Sequence, residues 1–391
     1  MIFEQNTIDF EYYFYNNNGE SKTVFTNGEC IENIENTIIR STKCEDLTFY
    51  DSSLQQINSI SYKNILNDLV LLSREHQKDN LELTVYCKEH FEKICIDKTL
   101  EDYRKYGYIR LIVKDNFDDI YYKEVPLFSE NEIFHECELG LNFKNLLTAL
   151  KHKKDFVSHK VWAYVPIVFS QQASGFFIHE VLGHLLEEDV FQYSKEIFMN
   201  KTFSPKVTVI DDLRGFENDV GLTKFDDTGV ELKPITLVDK GIIKNKISIE
   251  NENNFGMGRR ENYSKKVLPR MRCTKILGYD PLCREEIINK YNDVILLESV
   301  FSGSSNFING SFSIRGYGYY IKNGYIQNFI SNMIISGNVI EQLNNIEYVG
   351  NDVKVSTTGC VKLGNIIRVG LGGPSISFFS GNVEGDVYNY A

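Results

Sequence analysis

Apolar and polar positions alternate along much of the chain, the period of a half-buried strand. Residues 8–15 and 20–27 predict two strands around the turn cluster Asn16-Asn17-Asn18-Gly19. Leu81 to Cys87 is a further β-like run. Tyr108–Val113 and Ile120–Val125 predict a hairpin around Asp115-Asn116-Phe117-Asp118. Helical spacing replaces alternation from Ser52 to Glu75, through Ile57, Ile60, Ile65, Leu69 and Leu72. Residues 142–154 read as a helix running into a charged link, where a domain boundary is expected. Trp162–Phe169 then predicts an apolar strand and residues 170–175 a small-residue loop, with Ser170 and Ser174 as candidate helix caps. The helix that follows ends near Leu185-Leu186-Glu187-Glu188-Asp189.

Beyond it the pattern turns β again. Lys206–Ile210 predicts a strand. Residues 234–238 and 242–247 pair across Asp239-Lys240-Gly241, and residues 317–321 and 325–330 across Asn323-Gly324, a strong hairpin signal. Residues 366–371 and 375–379 predict a hairpin of the same style. One helix, Pro281 to Tyr291, interrupts them with proline at its start. The predicted fold class is α+β. An N-terminal mixed α/β domain over 1–155 precedes a largely antiparallel β domain over 156–391, with the histidine-bearing helix between them.

Composition narrows the function classes. The chain has 391 residues, 42% of them hydrophobic, enough to bury substantial cores. A net charge of −12 disfavours nucleic acid and anionic membrane surfaces, which attract clustered Lys and Arg. No run approaches ~18 apolar residues, so no membrane span is expected, nor a signal peptide at the start of the chain. The eight cysteines form no Cys-x-x-Cys pair, which argues against a disulfide framework and fits a reducing cytoplasm.

The candidate chemistry lies in His179-Glu180-Val181-Leu182-Gly183-His184. Two imidazoles are metal ligands, and a carboxylate beside the first stands where a general base belongs. Five residues apart, the two rings would point about 140° apart on a regular α-helix. A local widening to i→i+5 pairing brings them to about 50°, and such bulges cluster at functional sites. A distorted helix holding both rings on one metal is therefore expected, with Gly183 letting the backbone deform. A catalytic zinc takes three protein ligands and leaves one position for water. Residue chemistry leaves the third ligand open between Cys360, in the glycine-bearing stretch Thr357-Thr358-Gly359-Cys360 read as a loop, and the carboxylates Glu187, Glu188 and Asp189. His76, His90 and His135 stand alone and read as surface or packing residues.

Gly256-Met257-Gly258-Arg259-Arg260 could form a loop whose arginines Arg259 and Arg260 grip a substrate carboxylate or carbonyl. A solvated surface loop is the plainer reading. The serine run 301–305 lacks the Gly-x-Ser-x-Gly elbow of a serine nucleophile.

Taken together, five stretches resemble the TldD/PmbA family of metallopeptidases, in its TldD-like, metal-bearing branch. They are His179-Glu180-x-x-Gly183-His184-x-x-Glu187-x-Asp189, Val207–Asp212, Gly258-Arg259-Arg260-Glu261-x-Tyr263 with Pro269-Arg270-Met271, Glu347–Asp352, and Gly370-Leu371-Gly372-Gly373-Pro374. The resemblance implies a zinc peptidase in which Cys360 joins His179 and His184 as ligand and Glu180 is the base. It implies unfolded peptides as substrates, held as an added strand, and a homodimer or a heterodimer with a related subunit. Trimming of leader peptides from ribosomally made peptides is the associated activity. The portion before the motif is shorter than usual for the family. Two other classes compete: a peptide-binding subunit of a hetero-oligomer, and a metal-dependent amidase on small substrates.

Overall fold

The computed structural model describes residues 3–15, 21–32, 37–44, 81–96, 100–127, 143–212, 225–249, 255–262 and 265–391, with backbone alone for 3–44, 87–107 and 125–127. The helix expected over 52–75 and the turn at 16–19 lie outside the described residues. The expected N-terminal strands form one antiparallel sheet. Its strands are β1 (Phe3–Tyr15), β2 (Ser21–Glu32), β3 (Thr37–Cys44), β4 (Glu82–Ile96), β5 (Leu100–Lys114) and β6 (Ile120–Leu127), in the order β3-β2-β1-β4-β5-β6.

A helix over 143–152 leads without a link into β7 (Lys153–Phe169). The charged residues read as a linker are instead the start of a long strand. Lys153 is buried, and its ammonium bonds Asp115 (2.7 Å) and Asp119 (2.8 Å) in the β5–β6 turn. β7 belongs to a sheet with β14 (Asp293–Ser305), β15 (Ser311–Lys322), β16 (Tyr325–Asn338), β17 (Ile346–Val349) and β20 (Ile376–Tyr390), ordered β16-β15-β14-β7-β20-β17. A β16–β20 pairing closes it into a ring. Asn323 and Gly324 turn the β15–β16 hairpin with φ of 49° and 79°, as the Asn-Gly signal predicts.

A second mixed sheet runs β10-β9-β8-β13-β19-β18. It holds β8 (Val209–Asp211), β9 (Ile235–Asp239), β10 (Ile242–Ile243), β13 (Cys273–Ile276), β18 (Lys354–Lys362) and β19 (Asn365–Gly373), while β11 (Gly258–Arg259) and β12 (Leu268–Pro269) pair apart from it. The fold is α+β with mostly antiparallel sheets, as predicted.

Two expectations are corrected here. Residues 366–371 and 375–379 do not form a hairpin: β19 and β20 belong to different sheets. The chain between them wraps the histidine-bearing helix, whose Ser174 hydroxyl donates to the Pro374 carbonyl at 2.6 Å. Cys360 is on strand β18, not in a loop, and the hairpin partner of β18 is β19.

The helix that leads into the two histidines, Gln171–Ile178, is wedged between the ring and the second sheet. Ser170 caps it by accepting from the Ala173 amide at 3.2 Å. Phe177 sits edge-on to Phe169, Phe312 and Phe378, with centroids 5.4–5.5 Å away. Such pairs contribute about 0.5–1.5 kcal/mol each beyond their buried area. On the other side Gly175 lies against β19, where a Cβ would stand 2.9 Å from the Leu371 carbonyl carbon. The helix is thereby fixed at both faces before the two histidines begin.

Candidate metal centre

At Ile178 the α-helix gives way to a π-helical turn over His179–Gly183, then to a short 3₁₀ turn over His184–Leu186. The His184 amide donates to the His179 carbonyl, the i→i+5 bond that the spacing predicts. The widened turn puts the two rings together, with centroids 4.8 Å apart. The expected part of Gly183 is corrected in its reason. Its backbone is ordinarily helical (φ −55°, ψ −54°), so no glycine is needed for the bend. Glycine leaves room there for Met271, whose sulfur a Cβ at 183 would overlap unless that side chain moved.

Strand β18 brings Cys360 to the same place from 181 residues downstream. Its Sγ lies 3.3 Å from His179 Nε2 and 3.2 Å from His184 Nε2. In the group His179, His184 and Cys360, the three donor atoms lie within 4.8 Å of one another. Two nitrogens and one sulfur on a tetrahedral zinc ion would put each N···S edge at about 3.5 Å. The donor set and the two N···S edges fit such an ion.

The electrostatics favour an ionised sulfur at this place. Burial raises the Cys360 thiol, but His179 and His184 outweigh it and pull the thiol down to about 4, so the sulfur is held as a thiolate. Burial lowers His184, yet Glu187 and Cys360 prevail and lift it well above its ordinary value. Half-buried Glu180 is pushed up by burial, against the pull of both histidines. Its carbonyl accepts from Ser305 Oγ of β14 at 2.8 Å, and at Gly303 on that strand a Cβ would crowd the Glu180 side chain.

Behind the histidines stand charged groups whose part in the site was not expected, Glu187 being read only as a possible ligand. Glu187, fully buried, accepts from His184 Nδ1 at 2.8 Å and from Lys362 Nζ at 2.8 Å. Its carboxyl is raised by burial but brought down to about 2 by His184, Lys362 and Arg270. A carboxylate behind a ligating imidazole fixes the ring's tautomer and direction. Among the carboxylates considered for the third ligand, Glu187 stands behind His184, and Cys360 is the group facing both Nε2 atoms.

A family model for the PmbA/TldA metallopeptidase C-terminal domain matches residues 163–385, which hold every residue just described. The chain belongs to this family. A metalloprotease TldD homolog from Buchnera aphidicola subsp. Schizaphis graminum is 33% identical over 236 residues, 57% of this chain and 48% of that protein. A zinc metalloprotease TldD homolog from Saccharolobus solfataricus is 30% identical over 220 residues, 54% of this chain and 49% of that protein. The chain thus spans about half the length of the curated relatives it matches. TldE from Thermococcus kodakarensis is similar in fold, with a TM-score of 0.71 at 15% identity, over 98% of this chain and 96% of that one. That likeness includes the sheet that precedes the family match.

In this PmbA/TldA chain the expected arginines are held by their own neighbours. Arg259 Nη1 donates to the Met271 carbonyl at 2.8 Å, and the amide of buried Arg260 donates to Asp227 Oδ2 at 2.7 Å. Arg270 reaches the centre, its Nη2 lying 3.0 Å from Cys360 Sγ. It was visible within the Pro269-Arg270-Met271 stretch, but nothing local in sequence connects it to Cys360.

Proposed function

We propose that the chain is a zinc peptidase that hydrolyses unstructured peptides, with His179, His184 and Cys360 holding the ion and Glu180 as general base. The observation that carries this reading is the convergence of one sulfur and two imidazole nitrogens beside a half-buried glutamate. When bound, zinc would lower the pKa of a coordinated water to about 7 and polarise the scissile carbonyl. Glu180 takes the proton from the attacking water as the new C–O bond forms. It returns that proton to the amine nitrogen as the C–N bond breaks. Burial, by raising its carboxyl, moves Glu180 toward the pKa a base needs for this exchange.

The names of the TldD relatives support a peptidase, and a homodimer or a heterodimer with a related subunit is the assembly we propose. The family match, 163–385, supports placing the catalytic unit within 156–391. Trimming of leader peptides is the biological role we favour. No helix among the described residues is long and apolar enough to cross a membrane, and Cys273, Cys283 and Cys360 are free thiols, both compatible with the cytoplasm. Zinc content and peptide turnover of Glu180→Ala and Cys360→Ala test the reading. Glu180→Ala should retain zinc and lose about 100-fold or more in turnover. Cys360→Ala should lose most of its zinc. Full turnover in either variant defeats the proposal.

A further inference from the structure

Arg270 is buried without measurable exposure on the short segment between β12 and β13. A guanidinium in such a place needs partners for its donors and its charge. Its Nη2 donates to Cys360 Sγ at 3.0 Å and to the Cys360 carbonyl at 2.9 Å. Its Nη1 donates to the Asn365 carbonyl across the β18–β19 hairpin at 3.3 Å. Its Nε stands 3.6 Å from Glu187 Oε1, the carboxylate whose other oxygen holds His184 Nδ1. One planar cation therefore bonds the sulfur and the backbone that carries it, and stands in ion-pair range of the group that aims an imidazole, its Nε making no hydrogen bond.

We infer that Arg270 is the positioning residue of the metal centre, fixing the Cys360 sulfur directly and the His184 ring through Glu187. The inference rests on the reading of His179, His184 and Cys360 as metal ligands. The geometry has a chemical consequence. A thiolate has lone pairs enough to bind an ion and accept an N–H donor together. The donor draws charge from the sulfur, so the sulfur gives less to the ion. Arg270 would then both place the ligand and limit its donation. A lysine could supply the charge but not the fork of donors, because its ammonium is a single point on a flexible stem.

The test is cobalt substitution in the full chain, read by the thiolate-to-cobalt charge-transfer band and by metal affinity. Wild-type protein should show the band and Cys360→Ser should lack it. If wild type lacks the band, or Cys360→Ser keeps it, the metal-ligand reading itself fails. Given that band, Arg270→Gln and Arg270→Lys should shift it to lower energy and weaken metal binding about 10- to 100-fold. A band and an affinity unmoved in a folded variant overturn the role of Arg270 while leaving the ligands in place. Because removal of a buried charge can prevent folding, the wild-type protein supplies a second measurement. Apoprotein equilibrated in deuterated water before metal loading should show a shifted metal–sulfur stretch in the resonance Raman spectrum, since the N–H that bonds the sulfur becomes N–D. No isotope shift overturns the proposal without any variant.

Discussion

Glu187 holds a full negative charge in a place with no solvent, and the cations around it make that possible. His184, Lys362 and Arg270 approach it from three elements. Replacing it by glutamine keeps the shape but removes the charge that these three cations share, leaving buried Arg270 without its carboxylate. Glu187→Gln should weaken metal binding about 10- to 100-fold, measured by competition with a chromogenic chelator. Unchanged affinity would mean that His184 is aimed by packing alone. At this scale the sequence is unevenly legible. His179, Glu180 and His184 are readable because their spacing is local and a helix translates spacing into direction. Cys360 is 181 residues from His179, and no periodicity links them; residue chemistry left it one candidate among several, and the family resemblance chose it. Arg270 and Glu187 lay inside recognised stretches, but their roles depend on which atoms meet, which spacing does not encode.

The helix Gln171–Ile178 works as a fixed mount, and its contact with β19 is backbone to backbone. Gly175→Ala would press a methyl against the Leu371–Gly372 peptide at 2.9–3.1 Å, where no side chain can swing aside. The helix must back away from the strand that is hydrogen-bonded to β18. We expect a loss of about 1–3 kcal/mol in urea unfolding, with weaker metal binding because Cys360 and the histidines separate. Wild-type stability in this variant would mean that the mount has slack. The π turn was legible because two histidines five apart have few ways to share an ion. Strand β18 was not, because its hairpin turns at Leu363-Gly364, with Leu363 at φ 50°. Leucine rarely adopts that conformation, so no turn signal marks the place. The strand β14 was likewise unread, its serine-rich end resembling a loop.

Across the molecule, the β5–β6 turn is tied to the ring by ions rather than by a linker. Lys153 is enclosed by Asp115, Asp119 and the faces of Phe117 and Tyr388, at 4.6 and 3.9 Å. Burial raises the Asp119 carboxyl, but Lys153, Ser331 and Asn332 together hold it below its ordinary value. A depressed carboxyl contributes stability that is fully present above about pH 4, the unfolded value, and lost as pH falls through the lower folded value. Asp119→Asn should therefore cost about 2 kcal/mol near neutral pH, and the gap to wild type should close in acid. Urea unfolding of both proteins across that range checks the sign. A gap that widens in acid would contradict it. The charged residues 151–155 misled because lysine and aspartate are usually solvated, and only the fold reveals that Lys153 is enclosed. The distance along the chain from His179 to Cys360 also has a meaning in time. At a ribosomal pace of about 5–20 residues per second, the nascent polypeptide carries both imidazoles for on the order of ten to forty seconds before the thiol is even synthesised. Throughout that interval the cell holds an incomplete ligand set, so a growing copy cannot assemble the centre until nearly all of this sequence has been translated.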